Sequence, residues 1–148
     1  MSSNPVRVAS LGMGWWSDVL ADAAGRTPDI EIVKCFTRSE DKRNAFAEKY
    51  NCQAMASYGE ILADDSIQGI INTTPNPVHL ETTRKAAEAG KHVFLEKPMA
   101  SSVADCDRIM AAHDFGEQRT APNDLNAALF CGKNLGVVIR NRRGADNG

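Results

Sequence analysis

The sequence predicts an α/β fold, a single doubly wound parallel sheet. Apolar runs typical of buried strands alternate with helical segments from residue 6 to residue 112. Gly12 follows the first of these runs and Pro98 the last, as expected where strands end. The length of 148 residues is that of one domain. Uninterrupted alternation of this kind builds a parallel sheet with right-handed crossovers and helices on both faces.

The individual elements are predicted from apolar runs and from residues that begin or end helices. Ser39 is placed to cap the helix after the second strand, Gly25 to end the first helix, and Pro77 to begin a later one. The predicted strands cover residues 6–11, 31–36, 54–55, 67–72 and 92–96. Residues 113–148 form a divergent tail, with a possible helix at 122–131 and a possible strand at 136–140.

Composition excludes several classes of partner. A net charge of −2 gives no basic surface for nucleic acid or an anionic membrane. No apolar run reaches the roughly 20 residues of a membrane-spanning helix, and the N-terminus has no secretory signal, so we expect a cytoplasmic protein. Four widely spaced cysteines, without a neighbouring histidine pair, favour reduced thiols over a disulfide framework or a metal site.

A glycine motif lies between the first predicted strand and the first predicted helix. In Gly12-Met13-Gly14, the first glycine permits a tight turn and the second lets the backbone approach a pyrophosphate. The third position of this dinucleotide motif is usually glycine or alanine, and here it is Ser17. Trp15 and Trp16 either shield the turn or pack against the core. The motif by itself is equally compatible with a plain strand-to-helix turn.

The end of the second strand predicts which dinucleotide is bound. NAD sites carry an acidic residue about 20 residues beyond the glycine turn to hold the ribose 2′-hydroxyl. The corresponding segment here is Thr37-Arg38-Ser39. A hydroxyl leaves space for a 2′-phosphate, and the Arg38 guanidinium can bind it with paired hydrogen bonds. We therefore expect NADP, with NAD possible, although Arg38 is alternatively a solvated loop residue.

Two further segments follow buried strands and should reach the same edge of the sheet. The segment from Thr74 through Pro75 and Asn76 breaks regular structure, and His79 follows at the start of a helix, where a structural role is more common than a catalytic one. In Glu96-Lys97-Pro98, the proline keeps Lys97 out of helical geometry. A partly desolvated ammonium there could exchange a proton with a substrate oxygen. The alternative is a surface lysine paired with Glu96.

Three segments together resemble the glucose–fructose oxidoreductase/inositol dehydrogenase/rhizopine catabolism (Gfo/Idh/MocA) family. They are residues 12–16, 74–79 and 89–98, and the resemblance extends over residues 6–112. It implies an NAD(P)-dependent oxidoreductase acting on sugars, cyclitols and related alcohols. It also implies that Lys97 assists proton transfer and that the loop at Thr74 lines the nicotinamide. The residues expected to bind the cofactor are Gly12, Met13, Gly14, Trp15, Trp16, Thr37, Arg38, Ser39, Thr74, Pro75, Asn76, His79, Glu96, Lys97 and Pro98.

The chain departs from this family after residue 112. Members continue into an α+β domain that supplies most substrate contacts and an Asp/His pair, and we expect that domain to be absent here. Two functions stay open: an oxidoreductase transferring hydride to or from a small-molecule substrate, and a truncated module that binds the cofactor without turnover. We expect Trp15, Pro75, Asn76 and Lys97 to be exposed, and the resulting surface to favour a homo-oligomer.

Overall fold

A computed structural model of the chain describes residues 4–114 and 137–139, and within them strands and helices alternate as the sequence predicts. The strands are β1 Val6–Leu11, β2 Ile30–Phe36, β3 Gln53–Ala54, β4 Gly69–Asn72, β5 His92–Leu95 and β6 Val137–Ile139. The helices are α1 Trp15–Ala24, α2 Glu40–Tyr50, α3 Tyr58–Leu62, α4 His79–Glu88 and α5 Val103–Asp114, with a short 3₁₀ turn at Asn76–Val78 before α4.

The strands form one sheet in the order β3-β2-β1-β4-β5-β6. The first five are parallel, which confirms the predicted fold class. β6 lies within the range where a last strand was expected, but it runs antiparallel to β5 and so adds an edge of opposite direction. The predicted helix at 122–131 lies outside the described residues. Because the chain leaves β1 toward β2 and later returns to its other side at β4, the topological switch point is at β1 and β4.

Short-range signals explain where several helices begin. The Ser39 hydroxyl accepts a hydrogen bond from the Lys42 amide at 3.5 Å at the start of α2. The Ser102 hydroxyl accepts from the Asp105 amide at 3.1 Å at the start of α5. Each serine satisfies an amide that the first helical turn leaves without a backbone partner.

Apolar side chains are buried on both faces of the sheet. One cluster joins the strands to α3, α4 and α5, and it contains Ala9, Leu11, Ile61, Ile67, Ile70, Ala86, Val93, Leu95 and Ile109. A smaller cluster under α1 and α2 contains Ala21, Cys35 and Phe46. Cys35, Cys52 and Cys106 are free thiols, and Cys131 lies outside the described residues. None of the helices in residues 4–114 is long and apolar enough to cross a membrane.

A polar cluster surrounds Asp64, which lies between α3 and β4. Lys34 of β2 forms an ion pair with Asp64, whose carboxylate also accepts from the Ser66 amide at 2.8 Å. The buried Lys91 ammonium donates to the Asp64 carbonyl oxygen at 2.6 Å. The hydrogen bonds from Lys34 and then Ser66 hold the pKa of the Asp64 carboxyl well below its usual range. Burial lowers the pKa of Lys91.

Asp64→Asn is expected to destabilise the protein at neutral pH and much less in acid. A carboxyl whose pKa is lowered by folding stabilises the native state above its ordinary pKa, and this contribution is lost progressively as the pH falls below about 4. Since 23% of the Asp64 side chain is exposed, we expect a loss of only about 1 kcal/mol at pH 7. Urea unfolding at pH 7 and pH 3, with the exposed neighbour Asp65→Asn as control, measures it. An equal loss at both pH values would contradict the assignment.

Candidate functional site

The turn between β1 and α1 requires glycine at position 12. Gly12 has a φ of +87°, and a Cβ there would lie 2.8 Å from the Thr74 amide nitrogen and 2.9 Å from the Thr73 carbonyl carbon. The Gly12 amide donates to the Phe36 carbonyl at 3.0 Å, which ties the turn to the end of β2. The Thr73 hydroxyl donates to the Gly12 carbonyl at 2.8 Å. The turn is therefore held between the ends of β2 and β4.

The N-terminus of α1 is open to a ligand. Gly14 precedes the helix in extended geometry and makes no side-chain capping bond. A Cβ on Gly14 would meet no atom within 4 Å, so the space beside it is clear. The Ser17 hydroxyl donates to the Gly14 carbonyl at 2.6 Å and is buried, which explains how serine replaces the usual small residue. Free amides at a helix N-terminus bind anions such as a pyrophosphate, so the geometry fits the predicted dinucleotide turn.

The two tryptophans after this turn have different environments. Trp15 is 76% exposed, whereas Trp16 is half-buried. Their ring centroids are 5.4 Å apart. The Trp16 Nε1 is buried and has no hydrogen-bond partner within the described ranges. Met13 packs against the cluster beneath α1 and α2. Trp15 is thus available to cover a ligand at the turn, and Trp16 and Met13 face inward.

The loop after β2 carries no acidic side chain. Thr37 is half-buried, whereas Arg38 and Ser39 are exposed. The Arg43 guanidinium donates to the Thr37 carbonyl at 3.0 Å and lies 6.0 Å from the centroid of the Phe36 ring. Arg43 was not among the predicted site residues, because it lies in the first turn of α2 and not in the loop after β2. Arg38 has no ion-pair partner in residues 4–114, so its guanidinium is available to a ligand.

A cavity of about 370 Å³ lies between α1 and α2 and reaches the glycine turn. Its lining includes Gly14, Asp18, Lys42 and Lys49. Lys49 is paired with Asp18 at 3.1 Å, which offsets that acidic charge next to the helix N-terminus. Lys42 has no ion-pair partner in the described part of the chain, and it was also missed by the sequence prediction. It adds positive charge to the lining of the cavity.

The loop that begins after β4 is held by the buried side chain of Asn72. The Asn72 Oδ1 accepts from the Thr74 amide at 3.2 Å and from the Thr74 hydroxyl at 2.7 Å. The Asn72 Nδ2 donates to the Thr82 hydroxyl at 2.8 Å. Pro75 is exposed and Asn76 is half-buried, so of the four residues expected to be exposed only Asn76 is partly covered. Asn72 escaped the sequence prediction because it is the last residue of an apolar strand.

His79 lies between this loop and the segment after β5. Its side chain is fully buried, with Nε2 at 2.6 Å from the Thr74 carbonyl. On the other side, Nδ1 lies 3.1 Å from the Pro98 carbonyl and 3.2 Å from the Met99 carbonyl. His79 therefore contacts the two segments that were predicted to flank the nicotinamide and does not itself reach the surface.

The end of β5 brings Glu96-Lys97-Pro98 beside the loop after β4. The Glu96 amide donates to the Asn72 carbonyl at 3.0 Å. The Glu96 Oε2 is buried without a hydrogen-bond partner among the described residues. Lys97 is exposed and, within the same residues, forms no ion pair with Glu96. The described part of the chain does not supply the partial desolvation that the sequence suggested for Lys97.

All of these segments meet at the carboxyl edge of the parallel strands. The glycine turn follows β1, Arg38 follows β2, Thr74 follows β4 and Lys97 follows β5. A sequence profile described as the Gfo/Idh/MocA oxidoreductase family, NAD-binding Rossmann fold, matches residues 6–120. The chain belongs to this family. The match extends past residue 112, where the resemblance was expected to end.

Several similar proteins are named as enzymes of cyclitols or sugars, and the solved structures include complexes with NADP and with NADH. The chain is 29% identical over 108 residues to the scyllo-inositol 2-dehydrogenase (NADP(+)) IolU of Bacillus subtilis, covering 72% of this chain and 33% of the relative. It resembles the crystal structure of the 3-ketoreductase KijD10 of Actinomadura kijaniata with NADP and TDP-benzene, at 27% identity and a TM-score of 0.71, covering 76% of this chain and 35% of that one.

It also resembles the WlbA dehydrogenase of Chromobacterium violaceum in complex with NADH and UDP-GlcNAcA, at 26% identity and a TM-score of 0.73. That match covers 78% of this chain and 34% of WlbA. The chain therefore spans about a third of the length of the Gfo/Idh/MocA relatives it matches.

Proposed function

We propose that the protein takes part in NAD(P)-dependent hydride transfer between a nicotinamide and a secondary alcohol or ketone of a sugar, a cyclitol or a related diol. The observation that carries the proposal is the convergence of the Gly12 turn, the Thr74 loop and Lys97 at one edge of the sheet, in a chain of the Gfo/Idh/MocA family. In open α/β sheets this edge, at the strand-order switch point, is where ligands bind.

The residues have distinct tasks in this proposal. Gly12 permits the tight turn, Gly14 leaves the backbone bare where a pyrophosphate would lie against α1, and Trp15 would cover it from the solvent side. When bound, the nicotinamide supplies or accepts the hydride. In the oxidative direction the Lys97 amine takes the proton of the substrate hydroxyl while the carbon loses hydride, and in the reductive direction the ammonium returns it. The Asn72 side chain holds the Thr74 loop in place beside this reaction.

NADPH binding by the purified chain tests the cofactor site. Gly14→Asp places a carboxylate beside the open N-terminus of α1, where it repels a pyrophosphate. We expect unchanged unfolding but at least about a tenfold loss of NADPH affinity, measured by NADPH fluorescence. Gly14→Ala adds a methyl group that meets no protein atom within 4 Å and carries no charge, so the loss that it shares with Gly14→Asp is steric and the further loss in Gly14→Asp is due to the carboxylate. Identical titration curves for Gly14→Asp and the unchanged protein would refute the site.

We further propose that NADP is preferred over NAD. Support comes from the absence of an acidic side chain after β2 and from the unpaired charges of Arg38 and Lys42 within the described residues. Thr37→Asp should invert the preference, because a carboxylate repels the 2′-phosphate and accepts from the 2′-hydroxyl. We expect a change of roughly 100-fold in the ratio of the two affinities, with Thr37→Val as the uncharged control. Unchanged selectivity would show that Thr37 does not face the ribose.

A second candidate is a module that holds the cofactor without turnover of its own. The exposure of Lys97 and of Trp15 favours it, because an open site does not exclude water or orient a substrate. We expect the 148-residue chain to bind NADPH weakly and to show little substrate-dependent oxidation of it. Assays with keto sugars and cyclitol ketones decide between the candidates: robust turnover by the monomer would favour the first.

We also propose that the chain self-associates through exposed apolar side chains. Trp15, Val78 and Val103 are large apolar residues exposed in the structure, and exposed apolar surface promotes association. Sedimentation velocity should show a dimer that dissociates on dilution. Trp15→Ser should shift the equilibrium toward the monomer, and a concentration-independent monomer would exclude the dimer.

A further inference from the structure

His79 is a buried residue that joins the Thr74 loop after β4 to the segment at Pro98 after β5. Its Nε2 lies 2.6 Å from the Thr74 carbonyl, and its Nδ1 lies 3.1 Å from the Pro98 carbonyl. Thr74 and Pro98 are separated by a helix and a strand along the chain, so no local interaction sets their spacing. The β4–β5 pairing ends with the Glu96 amide bonded to the Asn72 carbonyl, and beyond it the imidazole lies between the two segments.

The number of protons on the His79 ring decides how many of these carbonyls it can bond. A carbonyl oxygen only accepts hydrogen bonds, so each ring nitrogen that bonds a carbonyl must carry a proton. A singly protonated ring fastens one of the two segments, and a doubly protonated ring fastens both. Because the side chain is 0% exposed, water does not replace a lost bond easily.

The strand order indicates which half of a bound dinucleotide would lie next to these two segments. In folds of this type the pyrophosphate binds after β1 and the adenosine ribose binds at the end of β2, which lies on one side of β1. Thr74 and Pro98 follow β4 and β5, which lie on the other side of β1. A dinucleotide crossing the switch point therefore directs its nicotinamide half toward the two segments that His79 holds.

We propose that His79 is a positioning residue for the nicotinamide half of the cofactor, acting through the Thr74 loop and the segment that follows Lys97. This inference rests on the proposed cofactor-binding function. His79 makes no contact with the cofactor itself, because its ring nitrogens are taken up by backbone carbonyls. Its effect should be confined to one half of the dinucleotide.

Two ligands separate this role from a general effect on folding. NADPH uses both halves of the site, and 2′,5′-ADP uses only the adenosine half. We expect His79→Ala to weaken NADPH binding by about tenfold and to change 2′,5′-ADP binding by less than about twofold. The fluorescence enhancement of bound NADPH, which reports on the surroundings of the nicotinamide, should fall as well. Arg38→Ala is the reciprocal control and should weaken both ligands.

Conservative variants test the two contacts separately. The amide nitrogen of Gln lies near the position of Nε2 and that of Asn near Nδ1, so His79→Gln keeps a donor for Thr74 and His79→Asn keeps one for Pro98. Both should bind NADPH with affinities between those of the unchanged protein and His79→Ala. They also replace His79→Ala if that variant does not fold.

Three results would overturn the inference. His79→Ala could bind NADPH as the unchanged protein does, or a folded His79→Ala could lose both ligands equally. Gln and Asn variants could also be no better than Ala. Failure of the unchanged protein to bind either ligand is a different result, because it would refute the proposed cofactor site itself and the role of His79 with it.

Discussion

Gly12→Ala is expected to destabilise the protein strongly and to abolish cofactor binding. The new methyl group would lie 2.8 Å from the Thr74 amide nitrogen and 2.9 Å from the Thr73 carbonyl carbon. These are backbone atoms, which cannot rotate away as a flexible side chain would. The backbone at position 12 also has a φ of +87°, which alanine adopts only with strain. Strain and overpacking of this kind each cost about 1–3 kcal/mol, so we expect a loss of about 2–6 kcal/mol.

Urea unfolding of Gly12→Ala and Gly14→Ala measures this effect with a matched control. Both variants add one methyl group to the same turn, but the methyl at Gly14 meets no atom within 4 Å. Gly14→Ala should therefore remain within about 1 kcal/mol of the unchanged protein. Equal stability of the two variants would show that the β1–α1 turn does not pass as close to Thr73 and Thr74 as the structure has it.

Asn72→Ala is expected to have a comparable effect through lost hydrogen bonds. Its side chain is fully buried and bonds the Thr74 amide and hydroxyl on one side and the Thr82 hydroxyl on the other. Removing the amide group takes a bond from these half-buried partners, and an unsatisfied group costs about 1–3 kcal/mol when it is buried and less where water can reach it. The Thr82 hydroxyl also donates to the Val78 carbonyl at 2.8 Å, so part of its bonding survives. We expect a net loss of about 3 kcal/mol.

Urea unfolding of Asn72→Ala also has a control within the chain. Asn44 is exposed on α2, and Asn44→Ala should be neutral or slightly stabilising because alanine favours helix. Hydrogen exchange at the Thr74 amide should become faster in Asn72→Ala, since that amide loses its acceptor. If Asn72→Ala unfolds like Asn44→Ala and the Thr74 amide stays protected, the Asn72 contacts do not hold the loop.

Short-range information explains why much of the fold could be predicted. The alternation of strands and helices, the helix-capping Ser39 and the glycine turn at position 12 depend on residues within a few positions of one another. Strand and helix bounds differ from the prediction by only a few residues, as at β4, which begins at Gly69 rather than at residue 67. The same local motifs located Lys97 and Thr74 at strand ends, and parallel pairing then gathers these ends at one edge.

Other features follow from contacts between distant residues, which no local pattern encodes. The Gly12 amide reaches the Phe36 carbonyl because β1 and β2 lie side by side in the sheet. The antiparallel direction of β6 depends on the path by which the chain returns to β5. The exposure of Lys97 depends on which parts of the chain cover the edge of the sheet.

The sequence by itself determined the parallel sheet, the glycine turn and the strand ends that carry the candidate site, because periodicity and turn chemistry act locally. The tertiary structure alone decided that Asn72 fastens the Thr74 loop to α4 and that His79 joins this loop to the segment after β5. Asn72 looks like one more residue of a buried strand, and His79 like an ordinary helix-start residue. Their roles arise because burial withdraws water from both side chains, so that backbone and hydroxyl groups brought from other elements must supply their hydrogen bonds.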